Sequence, residues 1–79
     1  MRPYQVVAEW DDDAMVWVAT SDDIPGLVTE ADSQDHLVEK LQVIVPELLE
    51  LNADFADPSG GPDFDIEYKR IQHVRRLFA

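Results

Sequence analysis

Two runs of aspartate are the residues whose type and spacing could support chemistry: Asp11, Asp12 and Asp13, then Asp22 and Asp23. Carboxylates bind calcium, but an EF-hand loop needs oxygen ligands at positions 1, 3, 5 and 12 and glycine at position 6. Counted from the first aspartate, position 5 is methionine and position 6 is valine, so this loop is excluded. The two runs could still form an acidic mouth at neighbouring sheet ends, or stay solvated in turns, where aspartate bonds its own backbone.

Side chains that act as nucleophiles or bases are scattered. The sequence has no cysteine, and Ser21, Ser33 and Ser59 suit turns or helix caps. His36 and His73 lie far apart in sequence, and we expect both to be exposed rather than to serve as base or ligand. The three glycines form no phosphate-binding loop. We therefore predict no catalytic residue, no metal site and no cofactor; a metal-dependent hydrolase at the aspartates is the enzymatic alternative.

Charge is distributed unevenly along the chain. The net charge is −11, and all 17 acidic residues precede residue 68. Residues 68–79 hold four cations and no acid: Lys69, Arg70, Arg75 and Arg76. Because an acidic body repels phosphate backbones and attracts basic proteins, we expect a basic protein partner and not nucleic acid. The acidity could instead serve only solubility, and the four cations could pair with the chain's own acids or with an oligomer.

Length and composition favour one small folded domain. The chain has 79 residues, of which 46% are apolar, enough for a core and too many for a disordered protein. The N-terminus leads directly into an alternating pattern, so no signal peptide is expected. No apolar run approaches the roughly 20 residues that span a bilayer. With no cysteine to oxidise, these features predict a cytoplasmic protein without membrane contact.

Local patterns predict five elements. Alternating residues predict strands at 4–10, 15–20, 27–31 and 64–74, and a 3.6-residue period predicts a helix at 34–51. Pro25 and Gly26 fit a type II turn, Ser33 fits a helix N-cap, 52–63 is a predicted loop and 75–79 a tail. The sequence thus predicts a single α+β domain of order β-β-β-α-β. We expect a three-to-four-stranded, mainly antiparallel sheet with one helix packed on one face.

The predicted helix carries an apolar stripe suited to a core. The stripe comprises Leu37, Leu41, Ile44, Leu48 and Leu51, and is widened by Val38, Val45 and Leu49. Pro46 lies opposite the stripe and removes one backbone hydrogen bond. We favour a kink near Pro46 over a break into two short helices.

Four short runs form a recognisable pattern: residues 10–13, 16–19, 23–27 and 29–31, followed by the capped, leucine-spaced helix. The turn Ile24-Pro25-Gly26-Leu27 is its most specific part. Over nearly the whole chain this pattern resembles the HicB-like antitoxin family. It is similar in particular to short stand-alone relatives of that family's N-terminal domain, which have no assigned function.

The resemblance implies a fold and an activity. The implied fold is partly degraded ribonuclease-H-like, without the nuclease acids. The implied activity is neutralisation of a small basic mRNA-cleaving toxin of the HicA type by direct binding. Longer members of the family continue into a DNA-binding domain that represses their own operon. This sequence contains no such segment, so we expect no repressor activity.

Two hypotheses for the binding surface follow. In the first, the five aspartates steer a basic partner, and Trp10 or Trp17 anchors it if either ring faces outward, core packing being the alternative. In the second, the chain forms a homodimer. The predicted strand 15–20 is apolar on both faces, and one helix covers only one of them. The uncovered face, with Val7, would then be buried against a second copy, or an edge strand would pair across it.

Overall fold

The computed structural model describes residues 3–51 and 63–77. The four strands are β1 Tyr4–Asp11, β2 Val16–Thr20, β3 Val28–Ala31 and β4 Phe64–Lys69, and the helix α1 is Gln34–Leu51. They form one sheet of order β3-β2-β1-β4, antiparallel except for the β1–β4 pair. The predicted α+β class and the order β-β-β-α-β are confirmed. The predicted loop at 52–63 lies, except for Asp63, outside the described residues.

β1 and β2 form a hairpin at the centre of the sheet. Their register pairs Ala8 with Ala19 and Trp10 with Trp17. Val6, Ala8 and Ala19 are buried on one face of the sheet.

The turn between β1 and β2 is built on Asp11. Its side-chain Oδ1 accepts hydrogen bonds from the backbone N–H groups of Asp13 and Ala14, at 3.0 and 3.2 Å, and its carbonyl accepts one from Met15. Met15 has φ of 59°, in the left-handed region. The prediction that Met15 begins the second strand is therefore wrong, since β2 starts at Val16.

The loop between β2 and β3 contains the predicted Pro25-Gly26 turn. Gly26 has φ of 84°, which a type II turn requires and which only glycine adopts freely. The backbone N–H of Leu27 donates to the carbonyl of Ile24 at 3.2 Å and closes the turn. Ile24 and Leu27 are buried in the core. The turn therefore inserts two apolar side chains under the helix, and β3 begins one residue later than predicted.

Helix α1 covers one face of the sheet. Ser33 Oγ accepts a hydrogen bond from the N–H of His36 at 3.1 Å, confirming the N-cap. The fully packed side chains are Leu37, Leu41, Val45 and Leu49, with Ile44 and Leu48 partly buried beside them. Pro46 does not break the helix, which runs continuously through it. Leu51, predicted in the stripe, is 81% exposed, because it lies at the margin of the helix face that the four fully packed side chains define.

β4 runs parallel to β1 and ends earlier than predicted. Its register pairs Tyr4 with Phe64 and Glu9 with Lys69, the last residue of the strand. The predicted continuation to Val74 is wrong, because the pairing with β1 ends at Lys69 and no described strand pairs with the residues that follow. Residues 70–77, which we call the C-terminal arm, are extended in solvent without regular secondary structure.

Candidate binding surface

The sheet has one covered and one uncovered face. Strand alternation and register place the side chains that point away from α1 on a single surface, which we call the bare face. Its members are Gln5, Val7, Glu9 and Asp11 of β1, Val16, Val18 and Thr20 of β2, Val28 and Glu30 of β3, and Asp65, Glu67 and Lys69 of β4. The described part of the chain has one helix, and its buried side lies on the other face.

The bare face has an apolar centre. Val7, Val16 and Val18 lie on the two central strands and are only half-buried, shielded by neighbours within the sheet. Val28, on the edge strand β3, is 74% exposed. Scattered exposed valines are ordinary on a protein surface, but a cluster on an uncovered sheet face marks a surface suited to contact with another molecule.

Carboxylates surround this apolar centre. Glu9, Asp11, Glu30, Asp65 and Glu67 all belong to the bare face, and Lys69 is the one cation among its described members. Lys69 is paired in register with Glu9. The described residues thus present a strongly negative surface with valines at its middle.

The two aspartate runs do not form one mouth. Asp11, Asp12 and Asp13 lie before β2, and Asp22 and Asp23 lie after it, so they occupy opposite ends of the same strand. Antiparallel pairing of β1 with β2 enforces this separation, because the chain must cross the whole sheet between the two runs. The acidic-mouth interpretation is therefore wrong.

Most of these aspartates have local structural roles. Asp11 organises its own turn, as described above. Asp12 Oδ1 accepts a hydrogen bond from the indole N–H of Trp10 at 2.6 Å. Asp23 Oδ2 accepts one from the backbone N–H of Gln5 at 2.8 Å and so ties the β2–β3 loop to β1. Asp13 and Asp22 are exposed.

Ser21 completes the junction at the start of β1. Its hydroxyl donates to the carbonyl of Gln5 at 2.6 Å and accepts from the N–H groups of Asp23 and Ile24, both at 3.1 Å. This arrangement satisfies backbone groups at the end of the sheet and fits the turn role expected of the serine. It leaves the hydroxyl engaged in three hydrogen bonds rather than beside a base.

The two tryptophans lie on the helix-covered face. Trp17 is 6% exposed and packs edge-on against Trp10 and Tyr68, with ring centroids 5.2 and 5.1 Å apart. Trp17 thus fulfils the core-packing alternative and offers no outward anchor. Trp10 is half-buried at the end of this aromatic row. Neither ring contributes to the bare face.

Arg70 makes a contact that the sequence did not predict. Its guanidinium lies over the Trp10 ring, 4.7 Å from the centroid, in a cation–π arrangement. One interpretation of the sequence paired the four C-terminal cations with the chain's own acids. None of the four forms an ion pair with a described carboxylate. Spacing along the chain gives no signal for this contact, because it depends on the pairing of β4 with β1.

The ionisable groups with shifted pKa values lie off the bare face. Burial, together with the charge of Asp35, raises the pKa of Tyr68. The hydrogen bond to His36, whose Nδ1 lies 3.0 Å from Oδ1 of Asp32, lowers the pKa of Asp32. Within residues 3–51 and 63–77, no three acidic or histidine side chains converge as a metal site.

A four-stranded open sheet with one covering helix and one uncovered acidic face defines a small α+β protein. Residues 3–73 match the family described as a domain of unknown function, DUF1902, and the chain belongs to that family. It is similar to the crystal structure of a hypothetical protein from the extremely thermophilic bacterium Thermus thermophilus. The two are 40% identical with a TM-score of 0.69, over 95% of this chain and 100% of the other.

No curated protein matches the chain. Residues 3–51 and 63–77 contain no helix with the length and apolar character of a membrane span.

Proposed function

We propose that this protein is a non-catalytic, cytoplasmic binding module whose bare face receives a basic protein. The observation that carries this proposal is the cluster of four valines among five carboxylates on a sheet face that no described element covers. The valines supply apolar area that a partner can remove from water. The carboxylates attract a cationic surface and disfavour acidic competitors.

The partner we propose is a small basic mRNA-cleaving toxin of the HicA type. Support for this choice comes from the sequence resemblance to HicB-like antitoxins, above all the turn Ile24-Pro25-Gly26-Leu27. Ile24 and Leu27 of this turn are buried in the core. The turn therefore supports the proposed likeness of fold to HicB-like antitoxins, and we assign contact with the toxin to the bare face. In this role the protein would neutralise the toxin by covering its cationic, RNA-binding surface.

Matched charge reversals test the proposal. Glu30 and Glu67 flank the valines on β3 and β4, whereas Glu39 and Glu50 are exposed on the outer side of α1. The double variants E30K/E67K and E39K/E50K change net charge equally. We expect the first to weaken binding of a purified HicA-type toxin at least about tenfold in calorimetric titration, and the second to have a much smaller effect.

An apolar pair provides a second comparison. Val28→Asp on the bare face should weaken toxin binding, whereas Val43→Asp on the exposed side of α1 should not. Restored mRNA cleavage by the toxin in the presence of V28D, but not V43D, would extend the result to neutralisation. Absence of any heat with wild-type protein, or equal weakening by both members of each pair, would contradict the proposal.

The alternative is a self-associating domain with no toxin partner. One observation favours it: the C-terminal arm exposes three large aliphatic side chains, Ile71, Val74 and Leu77. A clean monomer in light scattering at low micromolar concentration excludes the alternative, whereas a dimer is compatible with both functions and leaves the decision to the toxin titration.

A further inference from the structure

The C-terminal arm has the composition of a segment that is buried in an assembly. Ile71, Val74 and Leu77 are 88%, 74% and 84% exposed, and every residue of the arm is exposed. Three such side chains within eight residues leave apolar area in water that burial would stabilise. None of them packs against the core formed by the described residues of its own chain.

The outer edge of β4 offers a place for such a segment. The strand order β3-β2-β1-β4 puts β4 at one edge of the sheet, bonded to β1 on its inner side. Its six residues carry a row of outward N–H and C=O groups, and such an edge is a template for a further strand. Among the described residues no backbone or side chain forms hydrogen bonds along it.

The opposite edge of the sheet is protected. β3 has only four residues, and Lys40 Nζ donates to the carbonyl of Glu30 at 2.6 Å. A short edge strand with a lysine bound to its backbone is a common way to block pairing with another chain. The contrast between the two edges points to β4 as the one available for association.

The C-terminal arm matches the outer edge of β4 in length and in charge. Eight extended residues span about 26 Å, and the six residues of β4 span about 20 Å, so one arm can run along a whole β4 strand. Asp63, Asp65 and Glu67 lie in and before β4, and Arg75 and Arg76 lie in the arm. An arm laid antiparallel to β4 therefore brings its arginine-containing end beside the acidic start of the strand.

The arm cannot fold back onto the β4 strand it directly continues, because no turn residues separate the two. A second copy removes this restriction. Two chains related by a two-fold axis can place each arm beside the other's β4, since antiparallel strands have this symmetry and the contact is then self-complementary. Arg70, whose guanidinium lies over the Trp10 ring, ties the first residue of the arm to the body of its own chain.

We propose that two copies of this chain exchange their C-terminal arms, each arm pairing antiparallel with the outer edge of the partner's β4. The two four-stranded sheets become one continuous sheet, with residues 64–77 of the two copies side by side at its centre. This inference uses the outer edge of β4 and leaves the valines of the bare face open, so it stands apart from the proposed toxin binding except at Asp65 and Glu67, which belong to both surfaces.

Sedimentation of the full-length protein across low to high micromolar concentrations tests the exchange. We expect wild type to be a dimer. Val74→Pro removes a backbone donor from the arm and should raise the dimer dissociation constant at least about tenfold. The double variant I71D/V74D should act in the same direction. Because the arm is exposed in a single copy, neither change should affect folding, which circular dichroism verifies.

Two control variants separate this arrangement from other occupants. V43D, on the outer side of α1, and V28D, on the bare face, should both remain dimers. Dissociation by V28D would place the second copy on the bare face and overturn the exchange. A wild-type monomer at every concentration, or a V74P dimer as tight as wild type, would also overturn it.

Hydrogen exchange adds a direct readout of strand pairing. Alternate amides within residues 71–76, those that face the partner's β4, should be protected in the wild-type dimer and exchange rapidly in V74P. Rapid exchange of these amides in a stable wild-type dimer would contradict the pairing. These measurements involve no toxin, so their failure is distinguishable from failure of the proposed function.

Discussion

Each aspartate in the two runs near the hairpin has a role set by its position. Asp11 and Asp23 satisfy backbone N–H groups at opposite ends of the hairpin, and Asp12 holds the indole of Trp10. Such hydrogen bonds stabilise turns, and they use carboxylates that would otherwise resemble a metal site. The acids that face outward from the sheet include Glu30, Asp65 and Glu67, which the sequence hypothesis did not select.

Met15 is the residue with the clearest local strain. Its φ of 59° costs a residue with a Cβ atom energy, and its side chain is 61% exposed, so little packing offsets that cost. Met15→Gly should raise the free energy of unfolding by about 0.5–1 kcal/mol. Thermal unfolding measures the change. Ala14→Gly, one residue earlier at negative φ, should instead lower stability, and a gain in both variants would contradict the assignment of strain to Met15.

Helix α1 shows which buried residues the hydrophobic period predicts and which it does not. The stripe predicted from spacing contains Leu37 and Leu41, which are buried, and Leu51, which is not. Spacing alone does not fix which residues lie at the centre of the buried face. The structure centres that face on the row that ends in Leu49, which is 1% exposed, so Leu51 lies at its margin and is left to solvent.

A pair of truncations tests this account of the helix. Leu41→Ala removes a fully buried side chain and should lower the free energy of unfolding by about 2–5 kcal/mol. Leu51→Ala should change it by no more than about 0.5 kcal/mol. Chemical denaturation compares the two. A large loss on truncating Leu51 would mean that this side chain is buried in solution by something outside the described residues.

The two edge strands of the sheet differ in length and in what contacts their backbones. β3 is short and its backbone binds Lys40, whereas β4 is longer and continues into an apolar, cationic arm. Because the β3 edge is protected and the β4 edge is open, we expect a second chain to add to the sheet at β4. An arm-exchanged dimer would satisfy the open edge and bury the arm's aliphatic residues in one contact.

Charge is the dominant property of the molecule taken as a unit. The net charge is −11 on 79 residues, so the carboxylates repel one another in the folded state. Between described residues the one carboxylate within salt-bridge distance of a basic side chain is Asp32, 3.0 Å from His36 Nδ1, so local pairing compensates little of this repulsion. The same excess that would attract the proposed basic partner therefore lowers the stability of the protein alone.

Salt should therefore stabilise the fold. Raising ionic strength from very low to moderate values screens the repulsion among exposed carboxylates, so the melting temperature should increase over that range. Scanning calorimetry at constant pH and constant protein concentration measures it. A melting temperature that falls with salt would show that attractive pairs dominate, with the C-terminal arginines as the cations to test by substitution.

Features that depend on near neighbours could be predicted from the chain alone. The helix bounds, the Ser33 cap, the Pro25-Gly26 turn and the order of elements all follow from residues within a few positions of one another. Hydrophobic period and turn chemistry are local properties, so a single sequence displays them. The α+β class follows from the same patterns.

The contacts between distant segments became visible only in the folded molecule. Tyr4 pairs with Phe64, and that parallel pairing places β4 at an open edge, brings Arg70 over Trp10 and leaves the arm in solvent. Antiparallel pairing of β1 with β2 separates the aspartate runs, and the side chosen by α1 buries Trp17 and leaves the valines uncovered. These outcomes depend on contacts between residues far apart in the chain, which no local spacing encodes.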